Sequence, residues 1–123
     1  MGGSETILVI DDDQQVRQVV ALCLVELGYT LLEAEHGLQG LEMASAHRGR
    51  LDLVLLDLSM PGLPGQEVLR RLQESNPQLK VIVCTGYVVE KAQLEGVAAV
   101  MQKPCSLRQL ARSVRQVLDE SST

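Results

Sequence analysis

The sequence predicts an α/β fold in which a parallel sheet of five strands carries helices on both faces. Short apolar runs alternate with segments of helical spacing along the 123 residues. The apolar runs are continuous, which is typical of strands that are buried on both faces. The content of 46% hydrophobic and 22% charged residues is that of a globular chain. Since a chain of this length buries roughly two thirds of its unfolded surface, we expect a single domain.

Four apolar runs predict buried strands, and a fifth run has a weaker pattern. Each strand is followed by a turn residue or by a segment of helical spacing, as a parallel sheet requires. The predicted strands are residues 7–10, 30–33, 53–56, 81–84 and 97–101, of which 30–33 has the weakest pattern.

Five segments predict helices. Apolar residues at i, i+3, i+4 and i+7 predict one across residues 16–27, with Gly28 as its stop signal. Ser106 and Gln109 have the spacing of a capping box, and an apolar stripe continues from Leu107 to Leu118. The remaining helices are predicted at residues 38–47, 66–74 and 89–94, and the last of these is short and poorly patterned.

Composition excludes several classes of protein. A net charge of −5 and only two aromatic residues disfavour direct nucleic-acid binding. No apolar run approaches the length of a membrane span, and the three cysteines lack the spacing of a zinc or disulfide framework. We therefore expect a cytoplasmic protein without membrane contact. Residues 1–4 read as an N-terminal extension that could derive from cloning, 5–119 as the domain, and 120–123 as a polar tail.

Polar side chains follow four of the five predicted strands. The carboxyl ends of parallel strands meet at one edge of a sheet, where ligands bind in such folds. Each residue alone has an ordinary explanation as a helix cap, turn or loop residue, and Asp13 is predicted to be a turn residue or N-cap rather than a ligand. Together they predict a site. In chain order they are Asp11, Asp12 and Asp13, then Asp57, then Thr85, and last Lys103.

The acidic residues of this edge predict a cation site. Asp11, Asp12 and Asp57 would converge with only Lys103 to compensate them. Two carboxylates about 4 Å apart repel by roughly 4 kcal/mol at an effective dielectric of 20, or about three pKa units. Such a cluster takes up a proton or a cation, and oxygen ligands without histidine or cysteine favour Mg²⁺ or Mn²⁺. With a lysine and a hydroxyl nearby, the set suits an aspartyl-phosphate intermediate.

Four separated motifs resemble those of receiver domains from two-component response regulators. The resemblance covers residues 5–118, and the motifs occur in the order and spacing of that family. It implies a doubly wound, flavodoxin-like (βα)5 sandwich with strand order 2-1-3-4-5. The matching segments are ILVIDDD at 7–13, LLDLSMPG at 55–62, VCTG at 83–86 and KP at 103–104.

The resemblance implies that Asp57 is the phosphoacceptor. Asp57 would attack a phosphohistidine on a histidine kinase or phosphotransfer protein. Mg²⁺ would be bound directly by Asp12, Asp57 and the backbone carbonyl of Ser59, with Asp11 acting through a metal-bound water, and Mn²⁺ could substitute. Such a protein is a regulatory phosphoacceptor and not an enzyme, because it catalyses only its own phosphorylation and dephosphorylation.

Two further roles follow from the same resemblance. Lys103 would pair with Asp57 and then with its phosphoryl group. Thr85 would donate its hydroxyl to a phosphoryl oxygen and draw its loop inward. The peptide bond between Lys103 and Pro104 would be cis, which would fix the direction of the lysine.

The sequence departs from the family at residues that transmit the signal. Similar proteins carry Tyr or Phe at the position of Val100 and often Phe at that of Cys105. Because that aromatic normally swings inward with the threonine, we expect a smaller or different rearrangement here. Tyr87, two residues after Thr85, is hypothesised to gate access to Asp57 or to contact an output partner.

Other functions and contexts remain open at this point. A binding-only pseudo-receiver is one alternative, and an aspartyl-phosphate phosphatase is a weaker one because Ser59 stands where such enzymes carry a second acid. The chain could be a stand-alone receiver, a domain of a longer regulator, or the C-terminal receiver of a hybrid histidine kinase. A kinase or output domain could thus be covalently linked outside this chain, and a weak or phosphorylation-dependent dimer is compatible with the sequence.

Overall fold

The computed structural model describes residues 3–86, 96–103 and 106–120. Five strands and four helices follow one another along these residues, and they alternate except that β5 comes directly after β4. They are β1 (Thr6–Ile10), α1 (Gln14–Glu26), β2 (Thr30–Ala34), α2 (Gly37–Ala46), β3 (Leu53–Asp57), α3 (Gly65–Ser75), β4 (Lys80–Thr85), β5 (Ala99–Gln102) and α4 (Leu107–Asp119).

The five strands form one parallel sheet in the order β2-β1-β3-β4-β5, which confirms the predicted fold class. The chain moves from β1 outward to β2 and then returns to place β3 on the other side of β1. Ile10 of β1 lies opposite Leu56 of β3. The next residues, Asp11 after β1 and Asp57 as the last residue of β3, therefore lie at the same level, at the point where the strand order reverses.

The core lies on both faces of the sheet. Side chains alternate between the faces along each strand. Leu8 and Ile10 of β1 pack with residues of α2 and α3, whereas Ile7 and Val9 pack with residues of α1 and α4. Every residue of β3 is buried, as expected for a central strand covered on both sides. These two layers hold the ends of β1 and β3 in fixed positions.

Several helix ends agree with the sequence signals. The side chain of Asp13 accepts hydrogen bonds from the N–H groups of Gln15 and Val16, which confirms its capping role. Gly28 follows α1 with φ +100°, a left-handed conformation that favours glycine. The reciprocal capping box between Ser106 and Gln109 is present at the start of α4.

Other boundaries differ, and some predictions fall outside the described residues. β5 begins at Ala99, two residues later than predicted, although Val97 is already buried. Four predictions concern residues outside the described ranges. They are the short helix at 89–94, the proposed gate Tyr87, the cis bond to Pro104 and the role of Cys105.

Within the described ranges, no helix has both the length and the apolarity that a membrane crossing requires.

The apolar stripe of α1 is only partly buried. Val19 is 49% exposed, whereas Arg17 and Leu24 are buried. The side chain of Arg17 turns inward and hydrogen-bonds to the carbonyl of Asp11, just after β1. Cys23 and Cys84 are both half-buried, and Cys84 packs against the core on the side of α1 and α4.

Candidate functional site

Three carboxylates meet at the carboxyl ends of β1 and β3. Asp11, Asp12 and Asp57 each place an oxygen within 4.8 Å of the others. Asp11 and Asp57 are only 5% and 4% exposed, whereas Asp12 is exposed. The cluster is thus closed towards the sheet and accessible from the side of Asp12. Oxygen ligands in this arrangement fit a hard divalent cation.

Lys103 directly follows β5, and its side chain reaches this cluster. Its Nζ lies 3.2 Å from Asp11 Oδ2 and 3.4 Å from Asp57 Oδ2. The backbone N–H of Lys103 donates to the carbonyl oxygen of Thr85 at 2.7 Å, which joins the ends of β5 and β4. Since one ammonium faces two buried carboxylates, with a third beside them, the site keeps an excess of negative charge.

The environment shifts the pKa values of Asp11 and Lys103 upward. For Asp11, burial is the largest cause, and the negative charge of Asp57 adds to it. The N–H of Asp13 and the charge of Lys103 oppose this rise in pKa. For Lys103, burial is the largest single influence and lowers the pKa, but the attraction of Asp11 and Asp57 together outweighs it. Lys103 is therefore held as a cation, and a further cation would relieve the repulsion between the carboxylates.

Asp57 is held in one orientation by the turn that follows it. Its Oδ1 accepts a hydrogen bond from the N–H of Ser59 at 2.9 Å, while its Oδ2 faces Lys103. Leu58 is tied to the neighbouring strand through its N–H, which donates to the carbonyl of Cys84. A Cβ on Gly65 would lie 2.7 Å from Leu58 Cα, so α3 packs directly against this backbone. The carboxylate of Asp57 is therefore fixed from two sides.

Thr85 occupies the end of the adjacent strand β4. Its predecessor, Cys84, lies opposite Asp57 in the sheet, so Thr85 stands one residue beyond the level of Asp57. Thr85 is 1% exposed. The structure thus brings Asp11, Asp12, Asp57 and Lys103 into one cluster, with Ser59 bonded to Asp57. Thr85 borders that cluster through its backbone contact with Lys103.

Arg17 also contacts this site, although the sequence analysis did not single it out. Its Nη1 donates to the carbonyl oxygen of Asp11 at 2.7 Å. The available signal was a basic residue six positions after Asp11, on the first turns of α1. Apolar spacing alone places such a charge in solvent, which is why the pattern missed it.

A cavity of about 420 Å³ opens beside the carboxylates, between α1, α4 and the sheet. Asp11, Asp57 and Lys103 lie at one end of it. The remainder is mainly apolar and includes Val16, Val19, Val20, Leu107 and Leu110.

The sequence model of one protein family matches most of the chain. The family is the response regulator receiver domain, and the match covers residues 7–115. This chain belongs to that family. Its acidic cluster and Lys103 all lie within the matched residues.

Individual relatives agree with this assignment. The receiver is 34% identical to the sensor kinase CckA of Brucella abortus. The alignment covers 98% of this chain and 13% of the kinase. It is 29% identical to sporulation initiation phosphotransferase F of Bacillus subtilis, with 94% of each chain covered. Other curated relatives are longer, and the receiver spans 31–52% of three of them.

A solved structure with a similar fold is that of the response regulator TrrA from Thermotoga maritima, in complex with Mg²⁺ and a beryllium fluoride. The two chains share 30% identity and superimpose with a TM-score of 0.83, which covers 92% of this chain and 98% of TrrA.

Proposed function

We propose that this receiver accepts a phosphoryl group from a phosphohistidine onto Asp57 in the presence of Mg²⁺, and that this step controls a partner or output domain. The observation that carries the proposal is the setting of Asp57: one oxygen is held by Ser59 N–H, the other faces Lys103, and two further carboxylates lie beside it. A fixed carboxylate next to a cation fits a nucleophile for phosphoryl transfer. We assign residues 5–119 to this domain.

The acidic cluster fits Mg²⁺. Asp12 and Asp57 would bind the ion directly together with the backbone carbonyl of Ser59, and Asp11 would bind through a water. The exposed position of Asp12 leaves room for the waters that Mg²⁺ retains. When bound, the ion would offset the charge of the phosphoryl oxygens. The oxygen ligand set does not distinguish Mg²⁺ from Mn²⁺.

The transfer step follows from the orientation of Asp57. A carboxylate oxygen of Asp57 forms a bond to phosphorus while the bond from phosphorus to the donor nitrogen breaks, and the electron pair of that bond remains on the imidazole. Lys103 is placed to turn from the carboxylate to a phosphoryl oxygen. Thr85 would donate its hydroxyl to another oxygen. The excess negative charge of the site opposes arrival of the phosphoryl group unless a cation is present.

The same residues would couple phosphorylation to the fold. A phosphoryl group adds between one and two negative charges and several acceptor oxygens. Because Lys103 N–H is bonded to the carbonyl of Thr85, a shift at either residue reaches both β4 and β5. Val100 of β5 is half-buried and packs against the core beneath α2 and α3. Because Val100 has no aromatic ring that could swing inward, we expect a smaller or different rearrangement around β5.

Intact mass spectrometry after incubation with acetyl phosphate tests the proposal. We expect one phosphoryl adduct that forms with Mg²⁺ and not with EDTA. Borohydride reduces an acyl phosphate and so marks the residue that carried it, and we expect this mark on Asp57 alone. Parallel incubation with beryllofluoride detects acceptor sites whose phosphoryl group hydrolyses too fast to accumulate. Mg²⁺ binding without either product would favour a binding-only module.

The phosphodonor is expected to dock on α1. Val19 is half exposed and lines the cavity that ends at Asp57, so an apolar surface leads directly to the nucleophile. We choose a phosphohistidine domain that phosphorylates the wild type. Val19→Lys should slow phosphoryl transfer from that domain about tenfold, whereas labelling by acetyl phosphate should not change. Leu38→Lys is the matched control, because Leu38 is equally exposed but lies on α2. Equal effects of both substitutions on transfer would contradict docking on α1.

A further inference from the structure

Arg17 is a buried cation that the proposed chemistry does not use. It lies near the start of α1 and is 7% exposed. Buried charges are rare in proteins unless they are paired and hydrogen-bonded, because removal from water is costly. Arg17 contacts the Asp11 carbonyl, Glu33 and Glu35. Its burial beside the acidic cluster therefore calls for an explanation in terms of these contacts.

The three contacts of Arg17 are unequal. Its Nη1 lies 2.7 Å from the carbonyl oxygen of Asp11, which is the length of a charge-assisted hydrogen bond. Its Nε and Nη2 lie 3.5 Å and 3.8 Å from Glu33 and Glu35, beyond ordinary hydrogen-bond length. The side chains of both glutamates are also substantially exposed, which weakens such pairs. The contact with the Asp11 carbonyl is therefore the one that fixes the arginine.

That carbonyl belongs to the peptide group joining Asp11 to Asp12. Because the peptide group is planar, fixing the direction of its oxygen also fixes the direction in which the backbone enters Asp12. On the other side, Asp11 N–H donates to the carbonyl of Ala34, and Asp11 Oδ1 accepts from the N–H of Asp13. Arg17 thus supplies the hydrogen bond that orients the peptide between the two acids.

We propose that Arg17 is a positioning residue of the cation site, which it serves by holding the peptide between Asp11 and Asp12 so that both carboxylates face Asp57. This inference rests on the proposed binding of Mg²⁺ at the acidic cluster. Arg17 does not touch the ion or the phosphoryl group. It acts through the backbone, whereas Asp57 is held independently by Ser59 and Lys103.

Titration calorimetry with Mg²⁺ on the full chain tests the inference. Arg17→Met keeps an unbranched side chain but removes every donor, and we expect the Kd for Mg²⁺ to rise about tenfold or more, as on loss of other supporting bonds around metal ligands. Arg17→Lys should recover part of the affinity, because an ammonium can donate to the same carbonyl. The double variant Glu33→Gln/Glu35→Gln removes the ion pairs and should stay within about twofold of the wild type. The ¹⁵N amide signal of Asp12 should move in Arg17→Met and return towards its wild-type position in Arg17→Lys.

The outcomes separate this inference from the proposed function. If the wild type binds no Mg²⁺, the proposed metal site itself fails. If the wild type binds and folded Arg17→Met binds equally well, the positioning role is overturned. An equal loss in the double glutamate variant would also overturn it, because the ion pairs would then be responsible. Should Arg17→Met not fold, Arg17→Leu replaces it, because leucine also lacks a donor: weaker Mg²⁺ binding by several fold supports the inference, and wild-type binding overturns it.

Discussion

Asp57→Asn is expected to leave no phosphoryl adduct after incubation with acetyl phosphate and Mg²⁺. The change removes the nucleophile, because an amide oxygen does not attack phosphorus as a carboxylate does. The side chain keeps its shape, and its oxygen can still accept the hydrogen bond from Ser59 N–H. The fold should therefore survive while the chemistry is lost. Intact mass spectrometry over a time course measures the adduct, and thermal unfolding checks the fold.

Asp52→Asn provides the matched control for this loss. Asp52 precedes β3, at the opposite end of the strand from Asp57, and its Oδ2 accepts a hydrogen bond from Thr6 N–H. An asparagine can keep that bond, so phosphorylation should proceed at the wild-type rate. An adduct that persists in Asp57→Asn and disappears in another aspartate variant would place the acceptor elsewhere.

The strands and the convergence of acids could be predicted because both depend on local pattern. A strand buried on both faces needs a continuous apolar run, and β1, β3 and β4 each have one. Once the strands are parallel, their carboxyl ends must share an edge, so Asp11 and Asp57 had to lie along the same edge of the sheet. The order of the strands is not contained in these patterns, and it was supplied by the family resemblance.

Arg17 and Val19 could not be predicted, for one shared reason. Apolar spacing assumes that charged residues of a helix face solvent. The burial of Arg17 depends on the carbonyl of Asp11, which directly follows β1, and Glu33 of β2 lies near its guanidinium. Apolar spacing likewise assumes that Val19 faces the core, but Val19 is half exposed and lines the cavity between α1 and α4. Only the tertiary structure brings these groups together.

Lys103→Met is expected to slow phosphorylation by acetyl phosphate about 100-fold, because the loss of one group that stabilises charge in a transition state typically lowers the rate by this factor. Lys103 Nζ lies 3.4 Å from Asp57 Oδ2, where it can follow the charge as it moves onto the phosphoryl oxygens. Methionine has a similar length without the ammonium group. The rate of adduct formation at saturating Mg²⁺, measured by mass spectrometry, tests this expectation.

The same substitution should change Mg²⁺ affinity in the opposite direction. Removing the ammonium that lies 3.2 Å from Asp11 leaves the three carboxylates without that cation, so the ion should bind severalfold more tightly. Lys80→Met is the control: Lys80 Nζ donates to the carbonyl of Val117, at the far end of the sheet, so both the rate and the Mg²⁺ affinity should stay near wild type. A joint fall of rate and Mg²⁺ affinity in Lys103→Met would instead mean that Lys103 acts by holding the site together, because a purely electrostatic role requires the two quantities to move apart.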